Sequence, residues 1–347
     1  MQTCGLWLLV VVLLAGCTTT AVLPPVPAPA AAAAAVAPEP EPVLGVVAGN
    51  DRLAVYVPRA GESYATVAQK LLGSEARAWE IVELNAAAEM QPGRAIVVPL
   101  KPVNPMGVRP DRFQTVPILC YHRVGPGNSK MVVSAANFAQ QLEWLAANGY
   151  TVIALKDLLG FLQGRRALPP RSVVLSFDDG YESIYRHAFP LLKKFRVPAT
   201  LFLYTDFIGA GSAALSWNQV QEMRASGLVD VQAHSKSHAN LIERLDDEGD
   251  ARYRQRLETE ARTPREAIER RLPAHEVVDF AYPYGDANEL LLEVMARNQY
   301  RMAVTVNPGG NPFYAQPLML RRTMVLGSLD LEAFKARLLV SRPIKVP

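Results

Sequence analysis

Two adjacent carboxylates and a pair of histidines are the side chains of this 347-residue sequence whose types and spacing best suit metal chemistry. Asp178 and Asp179 are neighbours, and adjacent carboxylates repel unless a cation or proton offsets their charge. His234 and His238 are four residues apart, so their imidazoles can share one metal ion on a helical turn or in a tight loop. Asp179 and the two histidines would leave coordination positions open for water and substrate, as catalytic zinc sites do.

Other polar residues also follow apolar runs that read as strands. Tyr121 and His122 end the first run, and Pro283–Gly285 follows a later one. An isolated Asp-Asp-Gly sequence is usually a turn, and an isolated pair of histidines four apart is usually a surface feature. Their occurrence together with these residues, at four strand ends, favours a single functional site.

From about residue 114 onward, apolar runs alternate with amphipathic helical patterns, which predicts a parallel α/β fold. The runs are short and rich in Val, as expected for strands covered on both faces. The predicted strands are Val116–Tyr121, Tyr150–Ala154, Ser172–Phe177, Ala199–Tyr204, Val229–Ala233, Val278–Tyr282 and Met302–Val306. The predicted helices include Phe138–Ala147, Ile184–Phe195, Trp217–Ser226 and Glu289–Asn298. Seven strands predict an irregular parallel (β/α)7 barrel, with its site at the C-terminal ends of the strands.

The motifs around the candidate residues carry a specific resemblance. Ser176–Gly180 and His234–His238 are similar to the (T/S)FDDG and H(S/T)xxH motifs of the polysaccharide deacetylases of carbohydrate esterase family 4, the NodB-homology domain. Ile118–Val124 resembles the poly-N-acetylglucosamine deacetylases within that family. The resemblance implies one divalent metal ion, with Zn2+ expected and other first-row ions as alternatives. It also implies the roles of the side chains: Asp178 as catalytic base, His122 as general acid, and Asp179, His234 and His238 as metal ligands.

The third motif of the family is only partly matched. Pro283–Gly285 resembles it, but the Arg that often opens the motif is absent, so another residue must orient Asp178. Arg321 and Arg322 are the candidates. The backbone N–H of Tyr284 is a candidate donor to the oxyanion. Several aromatic side chains are candidates for stacking on sugar rings, with packing at the barrel rim as the alternative: Tyr121, Trp217, Tyr282 and Tyr284.

The N-terminus has the features of an export signal. Leu6–Leu14 is an apolar run too short to span a bilayer, and Leu14–Cys17 resembles the bacterial lipobox. We therefore expect residues 1–16 to be a lipoprotein signal peptide, with Cys17 lipidated and the protein exported and anchored in the bacterial cell envelope, facing the periplasm or in the outer membrane. Residues 17–48 are rich in Ala and Pro, which predicts an extended tether. Cys120 then has no partner for a disulfide.

A small α+β unit is predicted over residues 49–103. Leu53–Val57 alternates apolar and other residues as a strand does, two helical patterns follow, and Ile96–Pro99 reads as a closing strand. This β-α-α-β order resembles the LysM glycan-binding module, and so do the residues at several positions: Tyr56, Gly61–Ser63, Trp79, Asn85 and Pro92-Gly93. The alternative is a spacer that binds nothing.

The combined features favour a hydrolase with a deacetylase domain over residues 110–345. Its substrate would be a cell-surface polysaccharide that contains N-acetylglucosamine, either peptidoglycan or an exopolysaccharide, and it would release acetate. A net charge of +3 with scattered basic residues does not favour a nucleic-acid partner, and the mixed Arg/Glu stretch around residues 243–271 predicts a solvated helix face. Two alternatives remain: a non-catalytic glycan-binding lipoprotein, and an esterase that removes O-acetyl groups from another polysaccharide.

Overall fold

The computed structural model describes residues 44–127 and 129–344. The predicted signal peptide, Cys17 and nearly all of the predicted tether lie outside the described residues. Within these two ranges, no helix combines the length and the apolar character needed to cross a membrane.

The first described unit is a three-stranded antiparallel sheet with two helices. The sheet has the spatial order β1 (Gly45–Gly49), β2 (Leu53–Val57) and β3 (Ile96–Pro99), and the helices are α1 (Tyr64–Leu72) and α2 (Ala78–Leu84). The predicted strand–helix–helix–strand order is present, with β1 as an additional strand. Because β1 pairs with β2, this unit begins inside the segment that composition predicted to be tether. Tyr56, Val67, Ile81 and Val98 are fully buried at its centre.

The remainder of the chain alternates strands and helices around a barrel. Its strands are β4 (Arg112–Tyr121), β5 (Arg123–Val124), β6 (Val132–Val133), β7 (Thr151–Ile153), β8 (Ser172–Phe177), β9 (Ala199–Leu203), β10 (Val229–Ala233), β11 (Asp279–Ala281), β12 (Met302–Val304), β13 (Gly310–Pro312), β14 (Thr323–Met324) and β15 (Ser341–Pro343). Its helices are α3 (Ala135–Ala147), α4 (Leu155–Leu162), α5 (Phe189–Phe195), α6 (Trp217–Ala225), α7 (Asp250–Arg271), α8 (Glu289–Arg297) and α9 (Leu331–Lys335).

Seven parallel strands curl into the barrel, which confirms the predicted α/β fold. The strands β12, β11, β10, β9, β8 and β4 are neighbours in that order, and β14 pairs in parallel with β4 on its other side. The segment before β14 closes the ring, because Leu320 forms a parallel bridge with Val304 of β12. All seven predicted strands exist. The one at Thr151–Ile153 pairs only with the start of β8, and β14, which was not predicted, takes the seventh place in the ring.

The barrel core has an inner and an outer layer. Alternate residues of a strand point to opposite faces, so Ile118 and Val174 lie in the inner cluster while Leu119 and Leu175 lie in the outer one. The helices cover the outer layer, and Tyr253 of α7 is one of their buried contacts. Residues that continue the inner set past the strand ends reach the C-terminal rim of the barrel, where the candidate site is found.

Candidate active site

The aspartate turn, Asp178–Gly180, directly follows β8. The N–H of Asp178 donates to the carbonyl of Tyr121 over 2.9 Å, so the turn is joined to the end of β4. Asp179 has a φ of +73° and Gly180 a φ of +94°, both in the left-handed region. Position 180 requires glycine, because an added Cβ would lie 2.5 Å from Ile208 Cδ1. The turn places both carboxylates in the barrel rim.

The histidine loop, His234–His238, follows β10 and is not helical. His234 is 2% exposed, and its Nδ1 lies 2.7 Å from the carbonyl oxygen of Ala281. A carbonyl only accepts, so Nδ1 carries the proton and the Nε2 lone pair faces the site. Burial lowers the pKa of His234 to about 4, and it also lowers the pKa of His238. Both imidazoles are therefore neutral at pH 7, which is the form that binds a metal.

The aspartate turn and the histidine loop bring three potential ligand atoms together. Asp179 Oδ1 lies 3.5 Å from His234 Nε2 and 3.4 Å from His238 Nε2. Ligand atoms about 2.1 Å from one tetrahedral ion are separated from each other by about 3.4 Å. Asp179 Oδ1 is buried and accepts no hydrogen bond from any residue in the described ranges. These residues therefore fit a divalent metal ion.

The surroundings of Asp179 make its negative charge less favourable than it would be in water. Burial raises the pKa of its carboxyl to about 6, against the opposing effect of His122. The neighbouring carboxylate of Asp178 acts in the same direction as burial. A bound cation would offset both effects and keep Asp179 ionised.

Asp178 is held in its charged form by a buried arginine. Arg322 is fully buried, and its Nη1 and Nη2 donate to Asp178 Oδ1 and Oδ2 over 2.6 Å and 2.8 Å. Burial acts to raise the pKa of Asp178, but Arg322 and His234 outweigh it and hold this pKa well below its usual range. Arg321 instead donates to the carbonyl of Pro308. Of the two candidates, Arg322 orients Asp178.

His122 lies in the same cleft as the carboxylates and the histidines. The cleft has a volume of about 310 Å³, and its lining also includes Met131, Val306 and Met324. A ring nitrogen of His122 lies within 4.8 Å of a carboxylate oxygen of Asp178. The structure thus brings the expected general acid and the expected base to one cavity.

Tyr284 also lines the cleft, in an unusual backbone conformation. Its φ is +60°, its side chain is 59% exposed, and its ring centroid is 4.9 Å from that of His238. Among the described residues, its backbone N–H makes no hydrogen bond. This N–H is consequently available to a ligand in the cleft, and the exposed ring is available to a sugar.

The other aromatic candidates have packing roles. Tyr121 is fully buried, stacks on Phe177 and donates its hydroxyl to Gln141, so it does not face the cleft. Tyr282 is buried as well and donates its hydroxyl to the carbonyl of Leu318, but it also contributes to the lining of the cleft. Trp217 is the first residue of α6, where its ring lies under the guanidinium of Arg271 and outside the cleft lining. Tyr121 and Trp217 thus lie outside the cleft lining, whereas Tyr282 contributes to it, and contact of Trp217 or Tyr282 with a sugar stays a prediction.

Comparison with known proteins identifies the barrel. The model of the family described as polysaccharide deacetylase matches residues 165–303. Over these residues, the barrel is similar to a polysaccharide deacetylase domain. The matched stretch contains the paired carboxylates and both histidines, whereas His122 and Arg322 lie outside it.

Three relatives of the deacetylase domain show how far the similarity extends. The Streptococcus pyogenes deacetylase PplD, solved in complex with acetate, has a TM-score of 0.58 at 26% identity, covering 65% of this chain and 98% of that one. IcaB from Ammonifex degensii has a TM-score of 0.57 at 29% identity, covering 65% and 97%. The poly-beta-1,6-N-acetyl-D-glucosamine N-deacetylase of Staphylococcus epidermidis is 31% identical over 183 residues, which cover 50% of this chain and 61% of that relative. The chain thus spans less than two thirds of the staphylococcal protein.

Proposed function

We propose that the deacetylase domain hydrolyses N-acetyl groups in a polysaccharide that contains N-acetylglucosamine, with Zn2+ held by Asp179, His234 and His238. The products are acetate and a free amino sugar. The observation that carries the proposal is the position of this ligand set beside Asp178, a buried carboxylate that Arg322 keeps ionised. The name of the staphylococcal relative supports the choice of polymer, and the acetate in PplD supports the product.

The two carboxylates have different roles: Asp179 would help to hold the cation, and Asp178 acts as the base. A divalent cation supplies Lewis acidity, which polarises an acetyl carbonyl and lowers the pKa of a water. Asp178 accepts a proton from the attacking water, since its low pKa leaves it free of a proton in the resting enzyme. Arg322 prevents Asp178 from rotating, because both carboxylate oxygens are held.

His122 and Tyr284 act on the other atoms of the amide. A protonated His122 donates to the leaving nitrogen, which departs as an amine only when it receives a proton. The N–H of Tyr284 donates to the carbonyl oxygen as negative charge develops on it. Both groups line the same cleft as Asp178, so each can reach one substrate.

Acetate release from defined polymers tests this function. We expect the protein to release acetate from poly-β-1,6-N-acetylglucosamine, and a chelator to abolish the release. Peptidoglycan and O-acetylated xylan serve as parallel substrates. Release from peptidoglycan alone would reassign the polymer, and release from xylan alone would favour the O-acetyl esterase. The hydrolase proposal fails if metal-loaded protein releases no acetate from any of the three.

We also propose that the protein is exported and anchored by a lipid on Cys17, with a glycan-binding LysM-like module between the anchor and the barrel. The sequence Leu14–Cys17 supports the anchor. The order of β2, α1, α2 and β3 supports the module, and its Asn85 side chain joins the end of α2 to β3 through hydrogen bonds with Val97. A Cys17→Ala variant that still fractionates with membranes would contradict the anchor.

A further inference from the structure

We propose that Glu260 is a positioning residue that sets the shape of the histidine loop and thereby the affinity of the metal site. This inference rests on the proposed metal site at Asp179, His234 and His238. Glu260 lies on α7, outside the barrel, and it belongs to none of the motifs that the sequence analysis used. Its side chain nevertheless reaches the backbone between the two histidines.

The contacts of Glu260 with the loop are specific. Its Oε2 accepts hydrogen bonds from the backbone N–H groups of Lys236 and Ser237, each over 2.9 Å. Its Oε1 accepts a third bond from the hydroxyl of Ser237 over 2.7 Å. Glu260 is only 6% exposed, so these bonds are made where water competes weakly. Three hydrogen bonds from two successive residues fix the loop relative to α7.

The histidine loop needs such support because of its backbone. Ser235 has a φ of +70° and His238 a φ of +62°. Residues other than glycine remain in this left-handed region only when the surrounding structure holds them there. Within the loop, the Ser235 hydroxyl accepts the N–H of His238 over 2.9 Å, which ties the two strained residues together. The direction of the His238 ring therefore depends on the residues that lie between the histidines.

The opposite side of the loop is held by different groups. After β9, the N–H groups of Thr205 and Asp206 donate to the carbonyls of Ser235 and Lys236 over 3.3 Å and 3.0 Å. The carbonyls of the loop are thus anchored to the β9 side, and two of its N–H groups are anchored to Glu260. Removal of the Glu260 carboxylate would leave the N–H groups of Lys236 and Ser237 without these partners, and the backbone between the two histidines would be held only from the β9 side.

α7 is itself fixed against the barrel. The hydroxyl of Tyr300 donates to the carbonyl of Ala261, the neighbour of Glu260, over 2.7 Å. The hydroxyl of Tyr253, about two turns before Glu260 on α7, donates to the carbonyl of Leu241 beyond the histidine loop. Because both bonds hold the helix, the carboxylate of Glu260 has a defined position from which to orient the loop.

Metal affinity, measured apart from catalysis, tests the role of Glu260. We expect Glu260→Ala to weaken Zn2+ binding about tenfold or more in competition with a chromophoric chelator, as for other residues that orient ligands. Glu260→Gln is expected to retain most of the affinity, because its amide can satisfy all three partners once the Ser237 hydroxyl reverses its bond. In the Co2+-loaded protein, the visible absorption band should change in Glu260→Ala and remain as in the wild type in Glu260→Gln.

Glu266→Gln is the matched control. Glu266 lies on the same helix, is largely exposed and faces only Arg262 at 3.6 Å, so its amide should leave both readouts unchanged. Wild-type affinity and spectrum in Glu260→Ala would overturn the inference and leave the proposed function intact. If the wild-type protein binds no metal, the proposed function itself is contradicted. If Glu260→Ala does not fold, Ser237→Ala decides: it should weaken binding to a smaller extent, and unchanged affinity would again overturn the role.

Discussion

The aspartate turn and the histidine loop contribute to one site, but they are held by different means. Asp178 is held through its side chain by a buried ion pair with Arg322, which lies 144 residues further along the chain. The histidine loop is held through its backbone, by Glu260 and by the residues after β9. A carboxylate that must stay charged is thus fixed by an opposite charge. The imidazoles must stay neutral to bind a metal, and carbonyls and backbone contacts fix them.

Substitutions of Asp178 and His122 should abolish proton transfer, whereas substitution of His238 should abolish metal binding. Asp178→Asn is expected to lower kcat by roughly 10²–10⁴-fold, because it removes the proton acceptor. His122→Ala should lower kcat by a similar factor through loss of the proton donor. Both variants should still bind metal in the chelator competition. His238→Ala should lose metal and activity together, because it removes a ligand.

The control is the ratio of activity to bound metal. If Asp178→Asn releases its metal as readily as His238→Ala does, Asp178 belongs to the ligand set and the division of roles is wrong. If His122→Ala turns over like the wild type, another group protonates the leaving nitrogen.

Breaking the buried ion pair should mainly reduce stability. Arg322→Met leaves the Asp178 carboxylate buried without its partner, which is expected to lower the free energy of unfolding by about 3–5 kcal/mol. With the guanidinium gone, burial is left to raise the pKa of Asp178, so the acidic limb of the activity profile should move to higher pH. Urea unfolding and a pH–rate profile measure the two effects.

Arg321→Met is a control one residue away. Arg321 is exposed, and the hydrogen bond that its side chain makes within the described residues goes to the carbonyl of Pro308, so the substitution should change the unfolding free energy by no more than about 0.5 kcal/mol. Equal destabilisation by the two variants would mean that the ion pair with Asp178 adds nothing beyond the packing of the segment.

The sequence predicts the barrel because its strands are apolar on both faces. Each strand is therefore visible in the sequence as a short run of apolar residues between helical patterns. The structure adds β14, which is two residues long and therefore too short for any periodicity to reveal. It also adds β1 (Gly45–Gly49), which lies at the end of the Ala/Pro-rich segment and contains only small residues and two valines. In each case hydrogen bonds to a neighbouring strand, and not local pattern, define the strand.

The motifs predict the residues of the cleft because the C-terminal ends of parallel strands meet at one rim. They do not predict what holds those residues. Arg322 differs from Arg321 only in facing the barrel interior, and that depends on the register in which its segment pairs with β4 and β12. The Arg/Glu-rich pattern of α7 predicts a solvated face, which is wrong for Glu260. Charge pattern alone does not tell which of several glutamates meets unpaired N–H groups.

In the aspartate turn, alanine substitutions at two glycines separate the effect of backbone conformation on stability from the effect of packing. Their difference is expected to be smaller than the effects above. Gly180 and Gly209 have similar φ angles, +94° and +84°, so alanine at either position costs about 1–2 kcal/mol in left-handed strain. An added Cβ meets Ile208 and Leu203 at 2.5 Å and 2.8 Å at position 180, but meets nothing within 4 Å at position 209. Gly180→Ala should therefore lower the unfolding free energy by about 1–3 kcal/mol more than Gly209→Ala does. Equal losses in urea unfolding would show that glycine is needed at position 180 for its backbone conformation alone, and that packing against Ile208 and Leu203 adds nothing.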